Sequence, residues 1–388
     1  MWCPAWLFAS ENNIEQLIND FPVQAIKQLS TDRQSFPSKD HLSYADRKLA
    51  RIHVAIVQGA FEHANEQLTA VNQELLSSNE LAYFYYLNAL NLAHQFNGVG
   101  AMDYLNRLKV ADSPSVLVNP QFSYLLVYAR VYLNANELNL FANTLVQLQS
   151  IHDKSPNVWT LCQIANLRLQ SAVDENKHRS IEELHKTITD NCLFEKNGVV
   201  TADSYYQLAA TDISLKKNRP ETAEYLQKSA LIYKSQNIGN RLIDTYLLSV
   251  KVALISKDLP NTTVALKALK TGLSTKMTAP QTIKYYQLSA QHYRFSDDID
   301  NALTALEFFV AEKATLEKNK RIDNVSFLTF RITENKQRLE RSIDQERNAI
   351  KRGIKEVKWY CILFVFFSFL AVSSLIYALY YFVRRGLR

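Results

Sequence analysis

ValGlnGlyAlaPheGluHisAlaAsnGluGlnLeu, residues 57–68, joins two stretches that each read as a helix. Residues 44–58 form the first, Gly59 turns the chain, and residues 61–76 form the second. The same unit recurs on either side. Residues 81–96 pair with 100–110, 121–134 with 138–151, and 158–173 with 180–192. Farther along, 202–216 pair with 220–234, 239–256 with 260–273, and 280–295 with 299–316. Gly, Asn, Asp and Pro punctuate the joins. A period near forty residues predicts stacked helical hairpins, because each hairpin can bury its apolar face only against its neighbours.

Composition agrees. The 388 residues include eight glycines, nine prolines and four cysteines. A compact domain of this length ordinarily has about three times as many glycines. The shortage favours long helices with short joins. The net charge of +6 is concentrated near the end of the chain, where Arg347, Lys351, Arg352, Lys355, Lys358, Arg384, Arg385 and Arg388 lie. Elsewhere no basic run interleaves with aromatics, so no nucleic-acid partner is expected, and the basic cluster reads as a contact with anionic headgroups.

The turn at 57–68 resembles that of a tetratricopeptide repeat. Gly59 stands at the small turn position, Phe61 at an aromatic one and Ala64 where close helix packing needs a small residue. LysLysAsnArgProGluThrAlaGluTyrLeuGlnLysSerAla (216–230) repeats the logic with Ala223 and Ala230, and AspAspIleAspAsnAlaLeuThrAlaLeuGluPhePhe (297–309) with Ala302. The resemblance spans about residues 40–315, with degenerate motifs. It implies a concave groove lined by the first helix of each hairpin, where an extended peptide or protein segment docks. Tyr83, Tyr85, Tyr86, Tyr205, Tyr206, Tyr285 and Tyr286 fall on first helices. Neighbouring residues point about 100° apart on a helix, so only part of each group faces the groove. Tyr85, Tyr206 and Tyr286 are the groove candidates.

Residues 308–340 are similar to the last repeat of a bacterial group. In that group a tetratricopeptide array leads through a charged helix and a membrane span to a diguanylate cyclase or histidine kinase. The resemblance covers roughly 200–388 and implies an extracytoplasmic sensor region. No phosphoryl-transfer His box or nucleotide-binding domain follows, so no enzymatic activity is carried over.

The expected fold class is all-α. A hairpin solenoid occupies 11–316, a charged stalk helix 317–358, a single transmembrane helix 359–383, and a short basic tail 384–388. Residues 359–383 are twenty-five in number without a charge, about 37 Å of helix against a hydrocarbon core of roughly 30 Å. Lys355, Lys358 and Trp359 precede this segment and Arg384 and Arg385 follow, as interface anchors. In the stalk, Ile322, Val325, Leu328, Ile332, Leu339, Ile343, Ile350, Ile354 and Val357 form a thin stripe. The stripe suits either a dimeric coiled coil or a single solvated helix. Residues 1–10 resemble the remnant of a signal peptide. The expected location is therefore the bacterial inner membrane with the repeats in the periplasm; a tail-anchored protein with cytoplasmic repeats is the alternative.

No nucleophile motif, phosphate-binding loop, dinucleotide fingerprint or paired metal-binding Cys motif is present. Neither a cofactor nor an enzymatic activity is expected. His178, Glu182 and His185 share a helical face but lack a further ligand, and read as an exposed polar face. Cys162 and Cys192 fall at the two ends of one hairpin that antiparallel packing brings together, so they are either a disulfide or two buried thiols. Cys3 and Cys361 carry no role. The leading expectation is a protein-interaction module that relays a signal through its stalk. The alternatives are the sensor half of a signalling protein with a separate output domain, and a scaffold for envelope assembly.

Overall fold

In a computed structural model of the chain, the described residues are 14–30, 43–108, 116–117, 119–174, 178–193, 198–216, 221–271 and 277–386. They form two units, Met1–Asn324 and Val325–Arg388. Residues 1–10, with the expected signal remnant, lie outside the described residues.

In the first unit the helices pair as hairpins: α1 (Ile14–Asp20) with α2 (Pro22–Ser30), α3 (Tyr44–Gln58) with α4 (Phe61–Thr69), α5 (Ser78–His94) with α6 (Gly98–Arg107), and α7 (Pro120–Asn134) with α8 (Leu138–Lys154). Then come α9 (Val158–Asp174) with α10 (His178–Asn191), α11 (Val199–Ser214) with α12 (Glu221–Ser235), and α13 (Gly239–Ile255) with α14 (Leu259–Thr271). The last first-helix is α15 (Ala279–Phe295), followed by α16 (Ile299–Gly386). The α1/α2 hairpin falls inside the expected solenoid of 11–316, for which no helix bounds before residue 44 were expected. Residues 61–76 are not one helix, since α4 stops at Thr69 and a short 3-10 turn, Gln73–Leu75, follows.

The joins share one device. Gly59 takes φ +85°, and Phe96, Asn136, Lys216, Lys257 and Asp297 take φ between 54° and 63° at the ends of their first helices. After Gly59, Phe96, Asn136, Lys257 and Asp297 the next amide reaches back five residues. Asn97 donates to Leu92 O, Glu137 to Tyr132 O, Asp258 to Ala253 O and Asp298 to Tyr293 O, at 2.8 to 2.9 Å. This closes the orphan carbonyls of the helix end. A side chain in this conformation costs roughly 1–2 kcal/mol, so the turn is set by packing of the hairpin and not by glycine.

The starts of α3 and α5 are capped by side chains. Ser43 Oγ accepts from the Asp46 amide at 2.9 Å, and Ser77 forms a reciprocal box with Glu80. Ala64 is fully buried where α4 meets its neighbours, and Ala302 is buried on α16. On α12 the buried face carries Thr222, Leu226, Ser229 and Tyr233. Ala223 is exposed and Ala230 half-buried. The small residues at the close approach thus lie one position earlier than expected, where Ser229 Oγ donates to Ala202 O at 3.0 Å.

The array also packs across itself. Val57 of α3 lies against Val199, Ala202, Tyr233, Ile238 and Leu242 of α11 to α13. Gln58 Nε2 donates to Gln236 O at 3.3 Å. Helix α1 is held by first helices: Glu15 accepts from Ser123 Oγ of α7, and Asp20 Oδ1 accepts from the Val200 amide of α11 at 3.3 Å.

The second unit is the remainder of α16. Ile332, Leu339, Ile343 and Ile350 are exposed on it, as are the apolar residues from Leu363 to Tyr377 that interrupt its charged character. The expected transmembrane helix over 359–383 is corrected: among the described residues, no helix is long and apolar enough to cross a membrane. The expected inner-membrane location, periplasmic or tail-anchored, rested on that span and is withdrawn with it. Of its expected interface residues, Trp359 is exposed, and the side chains of Lys355, Lys358, Arg384 and Arg385 lie outside the described residues.

Candidate functional site

The first helices enclose a cavity of about 250 Å³. Its wall is polar because each of these helices turns a stripe of polar residues toward it. On α9, Gln163, Asn166 and Gln170 recur at three and four residues, while Cys162, Ala165 and Leu169 bury on the hairpin side. Asp203 and Gln207 of α11 are one turn apart, as are Arg130 and Asn134 of α7 and Asn240 and Asp244 of α13. His94 of α5 and Gln281 of α15 complete the polar wall, with Phe61 beside them. Phe61 stacks on His94 with ring centroids 5.3 Å apart.

The amides divide into two sets. Asn134 Nδ2 donates to Ala93 O at 3.2 Å, Asn166 Nδ2 donates to Ser204 Oγ at 3.2 Å, and Gln281 Nε2 donates to Asn240 O at 2.9 Å and Asp244 Oδ1 at 2.8 Å. The side chains of Gln163 and Gln207 are half-buried and that of Gln170 is exposed, whereas Asn240 Oδ1 is buried without a hydrogen-bond partner among the described residues. An amide side chain offers both donors and an acceptor.

Charge is uneven within the cavity. Arg241 Nε lies 3.8 Å from Asp203 Oδ1, which also accepts from Tyr233 OH at 2.5 Å. Burial works against the Arg241 charge, yet Asp203, Tyr233 and Asp244 hold its pKa above the usual arginine value. Burial raises Asp244, opposed by Arg241 and Gln281. Arg130 differs. Its Nη1 meets the His94 ring, 3.0 Å from Nδ1 and closer to Nε2. Among the described residues no carboxylate lies within ion-pair distance of it. Burial and the like charge of Arg241 pull Arg130 down to about 10, and burial with both arginines holds His94 neutral.

The groove tyrosines are dispersed. Tyr206 lies near Asp244, Arg241 and Asp203, and burial pushes its phenol up. Tyr85 packs on Tyr104 of α6, ring centroids 6.1 Å apart, with the Arg107 guanidinium 5.9 Å from its ring. Tyr286 stacks on Phe308 of α16 at 5.1 Å. Tyr83 and Tyr86, not Tyr85, face inward: Tyr83 OH is 3.0 Å from His53 Nδ1, and Tyr86 lies 5.8 Å from Tyr124 of α7. The sequence reading missed Arg130, Arg241, Asp203 and Asp244. The Gln163/Asn166/Gln170 stripe was the signal available.

Cys162 and Cys192 are joined in a disulfide with Cα atoms 5.7 Å apart. His185 Nε2 is 3.9 Å from Asp212 Oδ1, and the His178 side chain lies outside the described residues. Ala223 and Ala230 line a second, outward-facing hollow of about 420 Å³ with Leu226, Tyr246 and Ala253.

The chain matches no family model, and no curated protein matches it. Among solved structures it is similar to the crystal structure of a Rap protein complexed with Competence and Sporulation Factor. The TM-score is 0.54 at 14% identity, over 82% of this chain and 92% of that one. At this identity the likeness concerns architecture alone, and with the recurring hairpins it supports an all-helical repeat fold.

Proposed function

We propose that the protein is a non-catalytic interaction module that holds an extended peptide, or a protein segment in that form, against its first helices. The observation that carries this reading is the amide stripe along the cavity wall, Gln163, Asn166, Gln170 and Gln207. A main chain presents alternating donors and acceptors, and side-chain amides complement both. The similar Rap structure was solved with Competence and Sporulation Factor bound, which supports a holding role for this architecture.

The experiment is retention of a random hexapeptide mixture on the immobilised full chain, against Gln163→Ala/Gln170→Ala/Gln207→Ala. The expected result is retention by the native chain and its loss in the variant with little change in thermal midpoint. Equal retention by both, or none by either, rejects the groove.

We also propose that two copies associate through α16. Ile332, Leu339, Ile343 and Ile350 are exposed at 69%, 61%, 54% and 63%, in steps of seven and four along one helix. A stripe of that spacing is satisfied by a second helix. Light scattering on the full chain reads the mass directly. A dimer that Ile343→Lys/Ile350→Lys converts to monomer is the expected outcome, and a native monomer at micromolar concentration refutes it.

A further inference from the structure

In stacked hairpins each unit touches only its neighbours, and helix α1 breaks that rule. It packs on α3 and reaches α5, α7, α9 and α11 as well. Glu15 accepts from Ser123 Oγ of α7, and its charge is felt at Tyr83 and Tyr86 of α5. Asp20 Oδ1 accepts from the Val200 amide of α11 at 3.3 Å, with Trp159 of α9 beside it. A Cβ at Gly198 would stand 3.2 Å from the Asp20 Cβ. A helix of seven residues can meet the first helices of five successive hairpins only from inside their curve. It therefore lies on the surface that the groove reading assigns to a docked segment.

The cavity is what α1 leaves uncovered. Ser123, Trp159 and Val200 stand near the starts of α7, α9 and α11, whereas Arg130, Gln163 and Gln207 line the cavity farther along the same helices. The two regions adjoin, since the charge of Asp203 at the cavity wall is felt at Asp20. At about 250 Å³ the cavity lies below the range of roughly 300–1,000 Å³ that takes a whole small ligand. Six extended residues span about 20 Å, so a peptide needs the length of wall that α1 covers.

Resting on the groove reading above, we propose that α1 is an internal occupant of the groove, which a docking peptide displaces. Its seat suits an element that leaves. Of its four buried side chains two are carboxyls, Glu15 and Asp20, and only Ile14 and Ile18 are apolar. The cost of burying the polar pair offsets much of what the apolar pair contributes. Phe21 alone separates α1 from α2. Helix α2 is anchored separately on α3, where Arg51 Nη2 donates to Leu29 O at 2.8 Å. Rotation at Phe21 thus frees α1 and leaves the hairpins stacked.

Two measurements on the full chain test this. Amide exchange of the native protein is followed with and without the random hexapeptide mixture. Bound peptide is expected to speed exchange at residues 18–20 and to leave α2 unchanged. Ile14→Ser/Ile18→Ser loosens α1 without touching the amide stripe. It is expected to retain the mixture about tenfold or more over the native chain, because a released state populated at about a tenth or less lowers apparent affinity by that factor. Retained peptide with unchanged exchange at residues 18–20 overturns the internal occupant and leaves the groove standing. A folded variant that retains no more than the native chain overturns it too. No retention by either protein removes both readings. The exchange measurement uses the native protein, so it decides even if the variant fails to fold.

Discussion

The backbone of Gly59 lies against the side chain of Asn240, so that a Cβ at position 59 would stand 2.6 Å from the Asn240 amide carbon. The turn between α3 and α4 thereby meets the start of α13, which gives the array its long-range closure. Two independent constraints act on Gly59, its φ of +85° and this contact. Gly59→Ala is expected to destabilise by roughly 2–4 kcal/mol, the sum of left-handed strain and overpacking. Adding Asn240→Ala removes the contact but not the strain, so it should recover about half. Urea unfolding of the two variants checks this. A single variant as stable as the native chain would mean that the two turns do not meet in solution.

The Cys162–Cys192 bond spans a sequence separation of 30 and closes the α9/α10 hairpin beside Leu169, Ile188 and Leu208. Closing a loop of this length stabilises by about 3.6 kcal/mol in the chain-entropy account. Cys162→Ala/Cys192→Ala is expected to lower unfolding stability by about that amount. The native chain should lose a similar amount in reductant, and the double variant should be insensitive to it. Native melting that ignores reductant contradicts the bond.

Arg241, Asp203 and Tyr233 form a half-buried unit, with 3.8 Å between Arg241 and Asp203 and 2.5 Å between Asp203 and Tyr233. Removing Arg241 leaves Asp203 with the Tyr233 hydroxyl and partial solvent. Arg241→Met is expected to cost roughly 1–3 kcal/mol. Arg241→Met/Asp203→Asn should be less damaging than Arg241→Met alone, because the stranded carboxylate is gone. Thermal midpoints of the two variants that fall in the opposite order would show that Asp203 is solvated.

Much of the hairpin order is legible in the sequence because each helix alternates a buried stripe with a polar one; α3 has the bounds that periodicity alone predicts. The joins are less legible. Phe96, Lys216 and Lys257 adopt positive φ, which no local preference announces, since packing imposes it. Helix α1 is hidden for another reason. It is short and carries two buried carboxylates, Glu15 and Asp20, whose partners Ser123 and Val200 are more than a hundred residues away. The candidate site is dispersed likewise: Arg130, Asp203 and Arg241 are single charges on three helices and converge only through stacking. The extent of α16 was also hidden, because nothing between the last hairpin and the charged stripe breaks the helix.

Two buried groups give the folded state opposing pH dependences. Burial raises Asp20 from 3.8 to about 7, against the Val200 amide that bonds its charged form. Between those values the folded state holds a proton that the unfolded chain has released. Stability from this group is therefore greatest at low pH and is lost as pH rises toward 7. Burial lowers His53 from 6.5 to about 3, and its Nε2 has no partner. Here the unfolded chain takes up the proton, so stability is lost as pH falls below about 6.5. His94 acts with His53, its pKa also lowered by burial. Two lowered histidines outweigh one raised carboxyl, so the native chain should gain stability as pH rises from about 4 to 6.5. Asp20→Asn removes the falling component and should steepen that rise. His53→Gln, which keeps a polar group beside Tyr83 OH, leaves His94 against Asp20 and should flatten it. Urea midpoints at pH 4.5 and 7 for the three proteins read both slopes, and a parallel shift of all three profiles would mean that neither group is buried as the structure has it.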